Sequence, residues 1–128
     1  MTLREAEVVA AFTAWLEADG WHVRHEVDWI DVVATRDGRT LVAEAKGTTT
    51  SPGLDVDTAY GQLLRRMNGD PATSYALVVP AAATRAARRV STHVLDALDI
   101  AVYAVHSDES IALVAGAGPA ETVPAVPG

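Results

Sequence analysis

The 128-residue chain contains no cysteine. This excludes a disulfide framework, a thiolate zinc site and a cysteine nucleophile. Lysine is almost absent too: nine of the ten basic residues are Arg, and Lys46 stands alone. No apolar run approaches the ~20 residues needed to span a bilayer, and the N-terminus lacks a basic-then-apolar pattern. No membrane association is therefore expected, and the cytoplasm is the simplest compartment. There is no glycine-rich phosphate loop, no Gly-x-Ser-x-Gly elbow and no ordered Ser/His/Asp set. The four His residues offer no ligand pair: His22 and His25 lie three apart, on opposite faces of a strand, and His93 and His106 lack near partners. All four read as structural or surface residues, and Trp21 and Trp29 read as packing residues rather than base-stacking platforms.

What is present is an ordinary globular composition, 49% hydrophobic and 21% charged, at a length suited to one domain. The net charge of −7 argues against a polyanionic partner until its distribution is considered. Residues 1–64 hold five bases and eleven acids, and residues 91–128 hold five acids and no base. Between them, Arg65, Arg66, Arg85, Arg88 and Arg89 face Asp70 alone. Such an arginine band can meet nucleic-acid phosphates locally. Each Arg taken singly is equally well a solvated helix residue.

Thr2 to Glu5 fits a capping box, and Val8, Ala11, Phe12, Trp15 and Leu16 then recur at helical spacing up to Asp19-Gly20. Residues 21–27 alternate as a half-exposed strand. Residues 30–35 and 40–46 are strand-like and flank Asp37-Gly38, a two-residue type I′ hairpin signal. Gly47 to Asp57 reads as a loop, Thr58 to Met67 as a helix, and Tyr75 to Val79 as a buried strand. Thr84 to Leu98 reads as one helix, with Arg85, Arg88 and Arg89 on one side, before strands at 100–105 and 111–115. This order predicts an α/β fold: a single domain over 1–115, a central mixed β-sheet flanked by helices, and a flexible C-terminal tail over 116–128.

In the two-residue hairpin, cross-strand partners sum to 75, so Asp31 faces Glu44. Val33, Val42, Glu44 and Lys46 then share one sheet face with Asp31. Like charges directly opposite are destabilising, which calls for an explanation. One is a divalent cation: two carboxylates suit Mg²⁺, which completes its shell with water and phosphate oxygens. Lys46 would then orient or deprotonate a water, or stabilise a pentavalent transition state. The other is two exposed residues on an outer sheet face with Asp31 at a strand end. A one-residue bulge would weaken the pairing without separating Glu44 from Lys46.

Asp31-Val-Val-Ala followed, after a tight hairpin, by Glu44-Ala45-Lys46 resembles the signature of PD-(D/E)XK nucleases, the restriction-endonuclease-like superfamily. Tyr60-Gly-Gln62-Leu-Leu-Arg-Arg-Met and Tyr75-Ala-Leu-Val-Val-Pro80 fit the same pattern, and the likeness covers roughly residues 3–105. Ile30 stands where the family usually has Pro, and Asp28 is a rival carboxylate on the opposite strand face.

The resemblance implies an αβββαβ core hydrolysing DNA phosphodiester bonds, with RNA left open as the polyanion. It implies Asp31 and Glu44 as ligands of Mg²⁺ or Mn²⁺, and Lys46 as catalytic cation. Gln62 would line the site, and an acid on the first helix would complete it. Glu7 is preferred over Glu5 for that role because Glu5 is the capping-box partner. A homodimer, or a subunit of a larger complex, is the implied assembly. The rivals are a catalytically silent nuclease-like fold that binds nucleic acid or protein, and an unrelated α/β interaction domain.

Overall fold

The computed structural model describes residues 2–118. The elements run α1 (Glu5–Ala18), β1 (His22–Val27), β2 (Ile30–Arg36), β3 (Arg39–Ala45), α2 (Pro52–Arg66) and β4 (Thr73–Pro80). A short 3₁₀ turn, Ala81–Ala83, leads into α3 (Thr84–Ala87), α4 (Thr92–Leu98), β5 (Ile100–Val105) and β6 (Ile111–Ala115). The expected αβββαβ core is present. Of the expected tail, residues 119–128 lie outside the described residues.

The six strands form one sheet in strictly sequential order, β1 to β6. Pairing is parallel between β3 and β4 and between β4 and β5, and antiparallel elsewhere. Both parallel crossovers step the same way along the sheet, so connections of one handedness carry their helices to one face. Val56, Ala59 and Leu63 of α2, Ala87 of α3 and Leu95 of α4 accordingly pack with Val42, Leu77 and Val102 on that face. Helix α1 covers the opposite face, burying Val8, Phe12 and Leu16 against Val32, Leu41 and Val78. Strand β4 is buried along its whole length, as its apolar run predicts.

Two hairpins have the same turn but different residues. Asp37 and Gly38 have φ of 50° and 77° between the pair Arg36↔Arg39, the I′ conformation expected. Asp28 and Trp29 have φ of 50° and 67° between Val27↔Ile30. The second turn thus places a Trp where the first has Gly, at a cost of about 1–2 kcal/mol for an L-residue held left-handed.

Three boundaries differ from expectation. Helix α1 is capped at Arg4, not Thr2: the Glu7 carboxylate accepts the Arg4 backbone N–H at 2.9 Å. Leu3 and Val8, both buried, are then the residues before the cap and at the fourth helical position, a hydrophobic staple. Helix α2 begins at Pro52, inside the expected loop, because a proline fits the first helical turn, where its missing N–H has no partner to lose. The expected helix over 84–98 is broken. Helix α3 ends after one turn, and Ser91 caps α4 by accepting the Val94 N–H at 3.3 Å.

The break is held from α2, where the buried Tyr60 hydroxyl donates to the Ala87 carbonyl at 2.7 Å. Burial pushes the Tyr60 phenol up to about 12. Tyr60→Phe should cost about 1–3 kcal/mol in urea unfolding, because it leaves the Ala87 carbonyl without its donor.

Candidate functional site

The carboxyl end of β3 lies next to the carboxyl end of β4, the end of a parallel pair where open α/β sheets bind ligands. Regular β2–β3 pairing stops at Val32↔Ala43, one pair short of Asp31 and Glu44. The next backbone donor, Ala45 N–H, is taken by the Asp31 carboxylate at 2.8 Å. Asp31 and Glu44 are thereby brought together, as the hairpin register predicts.

Glu44 is 1% exposed, on the sheet face covered by α2. Its Oε1 has no hydrogen-bond partner. Burial, a hydrogen bond with Asp31 and the Asp31 charge push its carboxyl up from 4.5 to about 7, while Arg66 and Lys46 partly oppose the shift. The backbone N–H of Lys46 donates to the Val78 carbonyl at 3.0 Å, fixing the strand end from β4. Lys46 also lines a cavity of about 50 Å³ with Gly47, Thr48, Thr49, Asp55 and Pro80, room for ordered water.

The acid that α1 turns toward this end is Glu5, not Glu7. Glu7 is occupied as the helix cap and also accepts from Arg4 Nε at 3.3 Å, which holds its carboxyl below the usual range. Burial and the Asp31 and Asp55 charges raise the Glu5 carboxyl, and the Lys46 charge lowers it. The two acids exchange roles because the cap lies two residues later than the Thr2 pattern implies. Leu3-Arg4-x-x-Glu7-Val8, with apolar residues flanking the box, was the signal for that later start.

Glu5 is held in place by backbone contact. Thr48 N–H donates to the Leu3 carbonyl at 2.7 Å, and Leu3 N–H donates to Thr48 Oγ1 at 3.0 Å. Between them Gly47 lies against the Leu3–Glu5 backbone so closely that no side chain fits.

Helix α2 contributes a stripe of Asp55, Ala59, Gln62 and Arg66. Asp55 accepts from Thr49 Oγ1. It went unrecognised because the segment reads as loop, although Ser51-Pro52 carried a helix-start signal. Gln62 has a buried amide oxygen without a partner. Arg66 belongs to the site: its Nε stands 3.9 Å from Glu44 Oε1, and a terminal nitrogen donates to the Trp29 carbonyl at 3.3 Å.

The other arginines lie away from this cluster. Arg65 is exposed on α2. Arg85 and Arg88 are exposed around the end of α3, where they border a surface hollow with Ala81 and Thr84. Arg89 folds back onto α2, 3.6 Å from Asp57. Because the helix stops at Ala87, these three do not form one helical face. Trp21 is buried under the Arg36 guanidinium, 4.7 Å from its ring centre, as a packing residue should be. Trp29 is the opposite, 90% exposed.

Among the described residues no three or more His, Cys, Asp or Glu gather into a ready metal centre. What exists is a carboxylate pair in which one buried Glu44 oxygen receives no hydrogen bond, and two carboxylates are the number of protein ligands Mg²⁺ accepts when water and phosphate fill its shell. The donor set therefore fits a hard divalent cation.

Two solved structures superimpose on this chain with a TM-score of 0.55 each. One is an XisH family protein from Nostoc punctiforme, 18% identical over 84% of this chain and 98% of that one. The other is an fdxN element excision controlling factor protein from Anabaena variabilis, 16% identical over 84% of this chain and 97% of that one. What they share with this chain is the fold. No family model matches the chain, and no curated protein matches it. Among the described residues no helix is long and apolar enough to cross a membrane.

Proposed function

We propose that this chain is a Mg²⁺- or Mn²⁺-dependent nuclease domain hydrolysing DNA phosphodiester bonds at the Asp31–Glu44–Lys46 strand end. The observation that carries the reading is Glu44. It is buried beside a second carboxylate with an oxygen that receives no hydrogen bond among the described residues, and the only Lys lies two residues further on. Without a ligand such an arrangement costs the fold stability, which the Arg66 guanidinium 3.9 Å away offsets only in part. The shared fold with an excision controlling factor suits work on nucleic acid.

Asp31 and Glu44 would hold the cation, which when bound supplies Lewis acidity to a phosphate oxygen and to water. Asp31 is oriented by the Ala45 N–H and Glu44 by the strand it sits on. Lys46 puts a compact cation at the strand end: as ammonium it would offset charge growing on the phosphoryl oxygens, and as neutral amine it would take a proton from the attacking water. Glu5 shares the field of Asp31 and Lys46 and can accept a proton there. Gln62 offers an amide to orient water or phosphate, and Arg65 and Arg66 continue positive charge along α2 for the flanking backbone.

One observation favours a silent module instead: Arg66 already places a cation 3.9 Å from Glu44. Calorimetric titration with Mn²⁺ separates the readings. The nuclease reading expects a single site that disappears in Asp31→Asn, and a wild type that binds no metal overturns it. Lys46→Ala should retain that metal site and lose turnover at least about 100-fold on DNA. Lys46→Arg should remain slow, because guanidinium keeps the charge but does not exchange a proton near neutrality. Full activity in Lys46→Ala would remove Lys46 from the chemistry.

A further inference from the structure

The tip of the β1–β2 hairpin has a construction that folding does not require. Among the described residues six non-glycines have positive φ, and three of them, Glu26, Asp28 and Trp29, are clustered here. Trp29 holds the left-handed position that Gly38 holds in the neighbouring hairpin, and its side chain is 90% exposed. A bulky aromatic in that conformation, buried against nothing, stabilises neither the turn nor the core. The tip is nonetheless tied to the site, since Arg66 bonds the Trp29 carbonyl and faces Glu44. Trp29 also borders a hollow of about 490 Å³ with Glu26, Asp28 and Asp31, large enough for a nucleotide.

We propose that Trp29 is a stacking platform for one unpaired nucleobase next to the phosphate held at Asp31 and Glu44, making the substrate a single-stranded or locally unpaired nucleic acid. This rests on the nuclease reading for the position of the phosphate. The charges at the tip select the orientation. Glu26 and Asp28 repel phosphate and accept hydrogen bonds from amino groups on base edges, so the base enters the hollow while the backbone lies toward Arg66. A base inside a duplex exposes neither the face that Trp29 would cover nor a free pairing edge. Stacking on an exposed indole is tolerant of sequence, so the platform selects strand state more than base identity.

The test compares a 12-nucleotide single strand with a blunt duplex of the same sequence, in Mg²⁺. With Lys46→Ala protein, which cuts too slowly to consume the strand during a titration, the single strand should quench the emission that is lost in Lys46→Ala/Trp29→Phe, and the duplex should not. In the active protein, Trp29→Ala should lower kcat/KM on the single strand roughly 10- to 100-fold. Trp29→Phe should recover most of that loss, and cutting of the duplex should change less than about twofold. Trp29→Gly should show the same selective loss while melting no lower than wild type, because Gly relieves the turn.

If no substrate is cut but quenching by the single strand persists, the stacking role stands and the nuclease reading falls. A flat titration overturns the stacking role even if cleavage is observed, and leaves Trp29 as a protein contact. Equal losses on single strand and duplex overturn it as well.

Discussion

Glu44→Gln is expected to raise the melting temperature of the metal-free protein at pH 8, by several degrees and up to about 10 °C, while leaving it nearly unchanged at pH 5. The folded carboxyl titrates near 7 against 4.5 in its ordinary state, because it is buried beside Asp31. A folded state that holds its proton more tightly than the unfolded chain is favoured at low pH. The contribution is complete below about 4.5, declines as pH rises, and is gone above about 7. At 1.36 kcal/mol per unit the difference is about 3 kcal/mol, and the neutral amide avoids it at every pH. Millimolar Mg²⁺ should restore stability to the wild type at pH 8 and not to Glu44→Gln, since a ligand of the folded state stabilises in proportion to its saturation. The same substitution should cut nuclease activity at least about 100-fold, so stability and activity would move in opposite directions. Thermal melts at pH 5 and pH 8, with and without Mg²⁺, check all of these points. A Glu44→Gln protein that melts below wild type at pH 8 would show that the buried charge is already compensated, with Arg66 the group responsible.

Gly47→Ala is expected to lower the melting temperature by roughly 10 °C or more. An added Cβ there overlaps the Glu5 backbone nitrogen and comes within 2.9 Å of Arg4 C and Leu3 O, all main-chain atoms that cannot rotate away. Overpacking against rigid neighbours costs about 1–3 kcal/mol, and more when the backbone must yield. The way out of the overlap is for the start of α1 to move from the β3 end, taking Glu5 with it. Metal affinity, read by calorimetry, should therefore weaken although no ligand has changed. Gly61→Ala, in the interior of α2, is the control. Its Cβ would meet only the flexible end of Arg65, at 3.6 Å, and alanine gains about 0.5–1 kcal/mol there. The same chemical change should thus destabilise at one glycine and stabilise at the other.

These residues also mark how far the sequence could be read. The Asp37-Gly38 turn fixes the β2–β3 register through a local rule, so the approach of Asp31 to Glu44 is legible in the sequence. Strands β5 and β6 match their expected bounds, because short apolar runs between turn residues leave little choice. Glu5 and Glu7 were exchanged for the opposite reason. A helix start is decided by competing local hydrogen bonds, and Thr2 and Arg4 both head a segment with Glu three residues on. Asp55, Arg66 and Gly47 acquire their roles only in three dimensions, from helix α2 crossing the β3 end and from α1 lying on the loop after it. Nothing in their neighbours along the chain signals either contact. Trp29 reads as a packing residue because burial is the ordinary fate of a Trp, and only the turn conformation reveals that this one faces solvent.

The strand order has a kinetic consequence. Every strand pairs with its neighbour in sequence, but the parallel pairs β3–β4 and β4–β5 form only after the crossovers carrying α2, α3 and α4 have closed. The grouped side chains, Glu5 through Arg66, all precede β4. The meander β1–β3 can bring Asp31 and Glu44 together by itself, whereas Lys46 and the α1 that carries Glu5 are fixed only once β4 is in place. The hairpins close over short stretches of chain and the parallel pairs over long ones, so docking of β4 is the slower step. The later half of the domain is thus not independent of the site, since Val78 holds the Lys46 backbone and Pro80 lines the cavity beside it.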